Sequence, residues 1–165
     1  MTVSVEMEIG VRRLHALCTD AVWRRDPVAF GECYTADGIW KIAGLEFQGR
    51  DAIGRALTDL GAGNERVLMM FGSPILDLAD GVLTARTYTV EQVKLLDGGG
   101  SATVGIYYER FVEQDGRWLF QWRHFDFCYL GPPDLSAPFF PFQDYGPAPA
   151  LPGGTTATAG LRVGD

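Results

Sequence analysis

The chain has 165 residues, 47% of them hydrophobic, and a formal net charge of −7. That length sets one domain as the expectation, with enough apolar residues for a sizeable core. The negative charge argues against nucleic acid or an anionic membrane as a partner, and no run approaches the roughly 18 apolar residues of a membrane span.

The N-terminus, MTVSVEMEIG, is acidic and lacks a basic region followed by a hydrophobic one. No signal peptide is expected, and the location expected is cytoplasmic. Over residues 6–23, Met7, Val11, Leu14, Cys18 and Ala21 recur at helical spacing and form one apolar stripe. His15 adjoins that stripe and reads as a half-buried packing residue before a ligand. Asp26-Pro27 supplies a cap and a first helical position for a short helix over 27–34. A turn at Thr35–Gly38 precedes a short strand, Ile39–Ile42, and Leu45–Gln48 reads as another. Gly49-Arg50-Asp51 opens a third helix over 51–61, with Ile53, Leu57 and Leu60 on its buried side, and the Gly61–Asn64 cluster ends it.

Four long strand-like segments follow: Arg66–Leu78, Val82–Leu96, Ser101–Gln114 and Arg117–Leu130. Asp80-Gly81, Asp97–Gly100 and Asp115-Gly116 separate them as hairpin signals, which predicts an antiparallel meander. No helix follows Gly98–Gly100, so that loop is not a phosphate cradle. Pro74 predicts an edge position or a bulge in the first of the four. Residues 1–131 are expected to form the domain. Residues 132–152, rich in proline and aromatics, read as an arm packed on the body or on a neighbour, and 153–165 as a disordered tail. Cys18, Cys33 and Cys128 are odd in number and widely spaced, suiting reduced thiols rather than a disulfide framework. Zinc-type spacing is absent, and neither a metal nor a cofactor is expected.

Several stretches carry a family resemblance: Arg24-Arg25-Asp26 after the first helix, Tyr34–Trp40, Gly49–Ile53, Gly105–Glu109 and Asp115–Trp118. The chain resembles the SnoaL-like branch of the nuclear transport factor 2-like superfamily. The resemblance implies an α+β, cone-shaped fold, three N-terminal helices against a strongly curved, mainly antiparallel sheet that encloses an apolar cavity. It does not fix an activity. In the dehydratase and dehydrochlorinase members an Asp near the end of the first helix and a His on the first long strand act together as base. Those positions fall here at Trp23 and Met70, neither of which can carry a proton to or from carbon. Asp20, one turn earlier, could reach a similar place, or could be a solvated helix carboxylate.

The cyclase-like members place an Asp and a His on later strands, and His124 and Asp126 are the candidates by type. Strict alternation along Gly116–Leu130 puts Trp118, Phe120, Trp122, His124, Asp126 and Cys128 on one face unless a bulge intervenes. That face could form the polar end of an apolar pocket, with Asp126 as base and His124 as acid or orienter. The alternatives are a structural buried pair, or an Asp126 bound to Arg110 or Arg123. Trp23, Trp40, Met69, Met70, Phe71 and Trp122 are expected in the core or on the pocket wall. Tyr107 could polarise a carbonyl or sit in the core, and Tyr88, with Arg86, could be a pocket donor or lie exposed. The function these features imply is a cofactor-independent lyase or isomerase acting on a small apolar carbonyl compound. The alternative is a non-catalytic ligand-binding protein or assembly subunit. A homodimer or other homo-oligomer is expected, because Phe125, Phe127 and Tyr129 would occupy the sheet's outer face.

Overall fold

The computed structural model describes residues 2–141. The remainder of the expected arm, 142–152, and the tail at 153–165 lie outside the described residues.

Helix α1, Val5–Arg24, starts where the Ser4 hydroxyl accepts from the Met7 N–H at 3.2 Å. It buries Val11, Leu14, His15, Cys18, Ala21 and Val22, the stripe its sequence spacing defines. Arg25 closes it in the left-handed region, φ 56°, its N–H turned back to the Ala21 and Val22 carbonyls. Asp26 then caps α2, Pro27–Glu32, accepting from the Ala29 N–H at 2.9 Å. Helix α3 spans Arg50–Leu60 and buries Ile53, Gly54 and Ala56.

Seven strands form one curved, unclosed, mixed sheet: β1 Tyr34–Ile42, β2 Leu45–Gln48, β3 Asn64–Phe71, β4 Ile75–Ala79, β5 Val82–Leu95, β6 Gly100–Gln114 and β7 Arg117–Gly131. The order is β2-β1-β7-β6-β5-β3, with β4 also on β5. Every pairing is antiparallel except β1 with β7. The helices cover one face, and the main core lies between them and that face. The α+β expectation therefore holds.

Two local expectations change. Thr35–Gly38 is not a separate turn but part of β1, where the register against β7 shifts between Tyr34 and Ile39. The segment around Pro74 is split: Gly72-Ser73-Pro74 interrupts β3 and β4, which both pair β5. Pro74 lies outside the ladder, where its missing N–H costs nothing. Beyond β7 the chain folds back on that strand's end. Phe139 stacks on Tyr129 with ring centroids 4.7 Å apart, and the Phe140 N–H donates to the Cys128 carbonyl at 3.0 Å. No helix among the described residues is long and apolar enough to cross a membrane.

Candidate functional site

The faces of β7 are set by an irregularity that composition does not announce. Against β6, Phe111 pairs with Phe120 and Arg110 with Trp122, so Gln121 is an extra residue. A bulge of this kind inverts the alternation beyond it. Phe120 accordingly packs on the helix side, 5.3 Å from the Tyr34 ring and 5.6 Å from His15. Trp122 joins Ile106 and Tyr108 in a separate cluster on the opposite face. His124 and Asp126 pair with Tyr108 and Ile106, and directly opposed antiparallel residues share a face. Both are therefore buried on the outer face, away from the helices. The expectation that they continue the face of Phe120 is corrected by this bulge. Tyr88, opposite Ile106, lies on the same outer face. Burial, and then the charge of Asp126, raises the pKa of Tyr108. The oligomer argument changes with the phase, because Phe125 and Phe127 turn inward and line the cavity described below.

The inversion brings Arg123 inside, where it completes a buried polar network. Glu109 accepts from Arg123 Nε at 2.9 Å, from the Thr87 hydroxyl at 2.6 Å and from His15 Nε2 at 3.0 Å. Burial alone would raise the pKa of Glu109, but the charges of His15 and Arg123 and these bonds hold it below the ordinary carboxylate value. An ionised carboxylate has only acceptors, so His15 Nε2 is the donor. Arg123 also donates to the Tyr34 hydroxyl at 3.3 Å and lies 3.6 Å from the Tyr107 ring centroid. The network ties α1 to β5, β6 and β7, and its members are closed off from solvent.

The space a ligand can enter lies beside this network. A cavity of about 490 Å³ opens between the helix-side face of the sheet and the ends of α1 and α3. Its volume is within the range of small-molecule sites. Phe30, Trp40, Met69, Tyr107, Phe125 and Phe127 supply apolar wall, and Arg25, Glu65 and Arg66 supply charge at exposed positions. Glu91 also lines it, half-buried. Along β5 the inward positions are Leu83, Ala85, Thr87 and Thr89, and Glu91 continues that series. Desolvation pushes its carboxyl up to about 7, against the smaller opposing influence of Arg123. The Trp40 indole N–H is buried and makes no hydrogen bond of good geometry among the described residues, although it lies near enough to the Tyr107 hydroxyl to act on it. The site thus holds a carboxyl poised to exchange a proton near neutrality and, on the same wall, an indole donor beside a phenol.

A second hollow, about 730 Å³, runs between α1 and β3. Trp23, Met70 and Phe71 line it together with His15 and Asp20. Trp23 and Met70 are each 49% exposed, so this is surface groove rather than enclosed wall. Of the residues singled out in the sequence, the structure brings Trp40, Met69 and Tyr107 to the cavity. It places Trp23, Met70 and Phe71 on the groove, and Trp122, His124, Asp126 and Tyr88 on the outer face. Glu91 was missed. Its signal was its phase with Thr87 and Thr89, obscured because T-V-E-Q-V-K reads as a solvated stretch.

Solved structures share the fold. A hexachlorocyclohexane dehydrochlorinase (LinA, type 2) superposes with a TM-score of 0.69 at 15% identity, covering 88% of this chain and 93% of that one. A candidate scytalone dehydratase from Novosphingobium aromaticivorans gives 0.68 at 16% identity, covering 74% and 84%. A candidate aromatic ring hydroxylase from the same species gives 0.72 at 19% identity, covering 82% and 100%. No curated protein matches the sequence. At these identities the structural likenesses carry the fold alone. The sequence match is to the SnoaL-like domain over residues 4–124, most of the chain, and on that match the chain belongs to the SnoaL-like domain family.

Proposed function

We propose that the protein is a cofactor-independent lyase or isomerase acting on a small apolar carbonyl compound, with Glu91 as the group that takes and returns the proton. The observation that carries this reading is Glu91 itself, a carboxyl lining an apolar cavity and pushed up to about 7. A base of that strength is about half ionised near neutral pH and can accept a proton from carbon beside a carbonyl. The electron pair left behind moves onto the carbonyl oxygen. A hydrogen bond there from the Trp40 indole N–H, with the Tyr107 hydroxyl on the same wall, stabilises the oxyanion. From the enolate, loss of a leaving group at the next carbon completes an elimination, and return of the proton from Glu91 to a different carbon completes an isomerisation. The dehydrochlorinase and the candidate dehydratase that share the fold are named for eliminations, which is consistent with this chemistry.

The test is proton exchange at carbon. Aromatic and terpenoid ketones that raise the melting temperature are incubated with the protein in heavy water and followed by proton NMR. Exchange beside the carbonyl with the parent protein, and its loss in Glu91→Gln with binding retained, is the expected result. Ligands that bind without exchange would favour a binding protein instead.

A further inference from the structure

Three arginines meet where α1 ends, and one of them is engaged by carboxylates. Arg24 sits between Asp20, at 2.8 Å, and Asp26, at 2.9 Å, and already answers the negative end of the helix. Arg25 follows in the left-handed region, a conformation for which glycine is the favoured residue. It lines the cavity. Arg66 reaches the same cavity from β3, its guanidinium 5.8 Å from the Trp23 ring centroid and its Nη1 donating to the Glu65 carbonyl at 3.3 Å. Among the described residues no carboxylate forms an ion pair with Arg25 or Arg66. Glu65 is the acid that shares the exposed part of the lining with them, and it leaves the rim with an excess of one positive charge.

We propose that the ligand of this cavity is an amphipathic anion: an apolar body seated among Trp40, Met69, Phe125 and Phe127, and a carboxylate or equivalent group left at the rim between Arg25 and Arg66. The proposal rests on reading this cavity as the small-molecule site. The interior disfavours an anion, since burying one beside the Glu91 carboxyl adds desolvation to like-charge repulsion. The rim favours one, because two exposed guanidiniums can each offer paired donors to a planar anion. The chain as a whole carries −7, so its long-range field repels anions and any preference for them must arise locally.

Two fluorescent probes test this directly. Anilinonaphthalenesulfonate and N-phenylnaphthylamine share one ring system and differ by the sulfonate. The expected result is that the anionic probe binds on the order of tenfold more tightly at low salt. That preference should shrink as salt rises and disappear in Arg25→Gln/Arg66→Gln, while Arg24→Gln retains it. Leu57→Trp or Val93→Trp, which fill the cavity from α3 and from β5, should displace both probes. Equal affinities, no binding of either probe, a preference that survives the double variant, or binding unaffected by both cavity-filling variants would each overturn the proposal. The acid–base reading fails separately, through unchanged carbon exchange in Glu91→Gln, an outcome that does not bear on the preference for the anionic probe.

Discussion

Phe120 and Trp122 stand two residues apart on one strand and face opposite sides of the sheet. The extra residue between them, Gln121, keeps its side-chain carbonyl buried without a partner among the described residues. It is also what turns Arg123 inward to Glu109. Deleting Gln121 would remove the extra residue and leave Phe120 inward, Trp122 outward and Arg123 inward in plain alternation. We therefore expect the deletion to keep the Arg123–Glu109 contact and to cost no more than about 1–2 kcal/mol in chemical denaturation. A loss as large as that of Arg123→Met would show that the bulge geometry itself holds Arg123 on Glu109.

Glu91 gives stability a pH dependence of its own. Its folded pKa lies above the ordinary 4.5, so between these values the folded chain holds a proton that the unfolded chain releases. Its contribution is therefore fully present below about 4.5 and is lost as pH rises through about 7. The shift sets an upper bound of about 3 kcal/mol, reduced by whatever water the cavity admits. Glu91→Gln has no proton to lose, so its advantage over the parent should grow from about pH 5 to about pH 8. Parallel melting curves for the two proteins over that range would contradict the assignment.

Glu109 runs the opposite way. Its folded pKa is lowered, so its contribution is present above the ordinary carboxylate value and lost as pH falls through the folded one. Arg123→Met takes from that buried carboxylate its permanently charged partner and should cost about 3–5 kcal/mol. Adding Glu109→Leu should recover part of the loss, because the pair is then removed together. A double variant no better than the single one would mean that His15 and Thr87 already satisfy the carboxylate.

Gly105 sits under the Phe125 ring, and a methyl group added there would collide with that ring and approach the Asp126 carbonyl. Gly105→Ala should therefore push Phe125 toward the cavity it lines. We expect about 1–3 kcal/mol of destabilisation together with weaker uptake of apolar probes. A stability loss with unchanged probe affinity would place the strain in the backbone alone.

Much of the architecture was legible because it is periodic. The Met7–Ala21 stripe gave α1, and the Asp-Gly and glycine-rich turns gave the hairpins. Capping at Asp26-Pro27 gave α2. The site was less legible because it depends on phase. A glutamine marks the inversion on β7, and glutamine carries no backbone signal as glycine or proline would. The stretch from Trp122 to Phe127, His124 and Asp126 included, was therefore read onto the wrong face, and a second irregularity at Cys128 returns Tyr129 to the outer face expected for it. Glu91 was passed over, and Arg123 was named only as a partner for Asp126, for a related reason. Charged residues on alternating strands are normally solvated, whereas here Arg123 is fully buried and Glu91 half-buried beside the cavity.

The parallel contact between β1 and β7 has a consequence for how the chain is made. Tyr34–Ile42 finds its inner neighbour only in Arg117–Gly131, so the early helices and the β1–β2 hairpin emerge from the ribosome long before the strand that joins them to the sheet. Until then Trp40 and Phe30 lack the β7 side of the core they belong to, Phe120 and Phe125 among it. Completion must await synthesis of the last strand, which makes a nascent chain stalled before β7 a natural substrate for chaperones and favours slow, late closure over stepwise assembly.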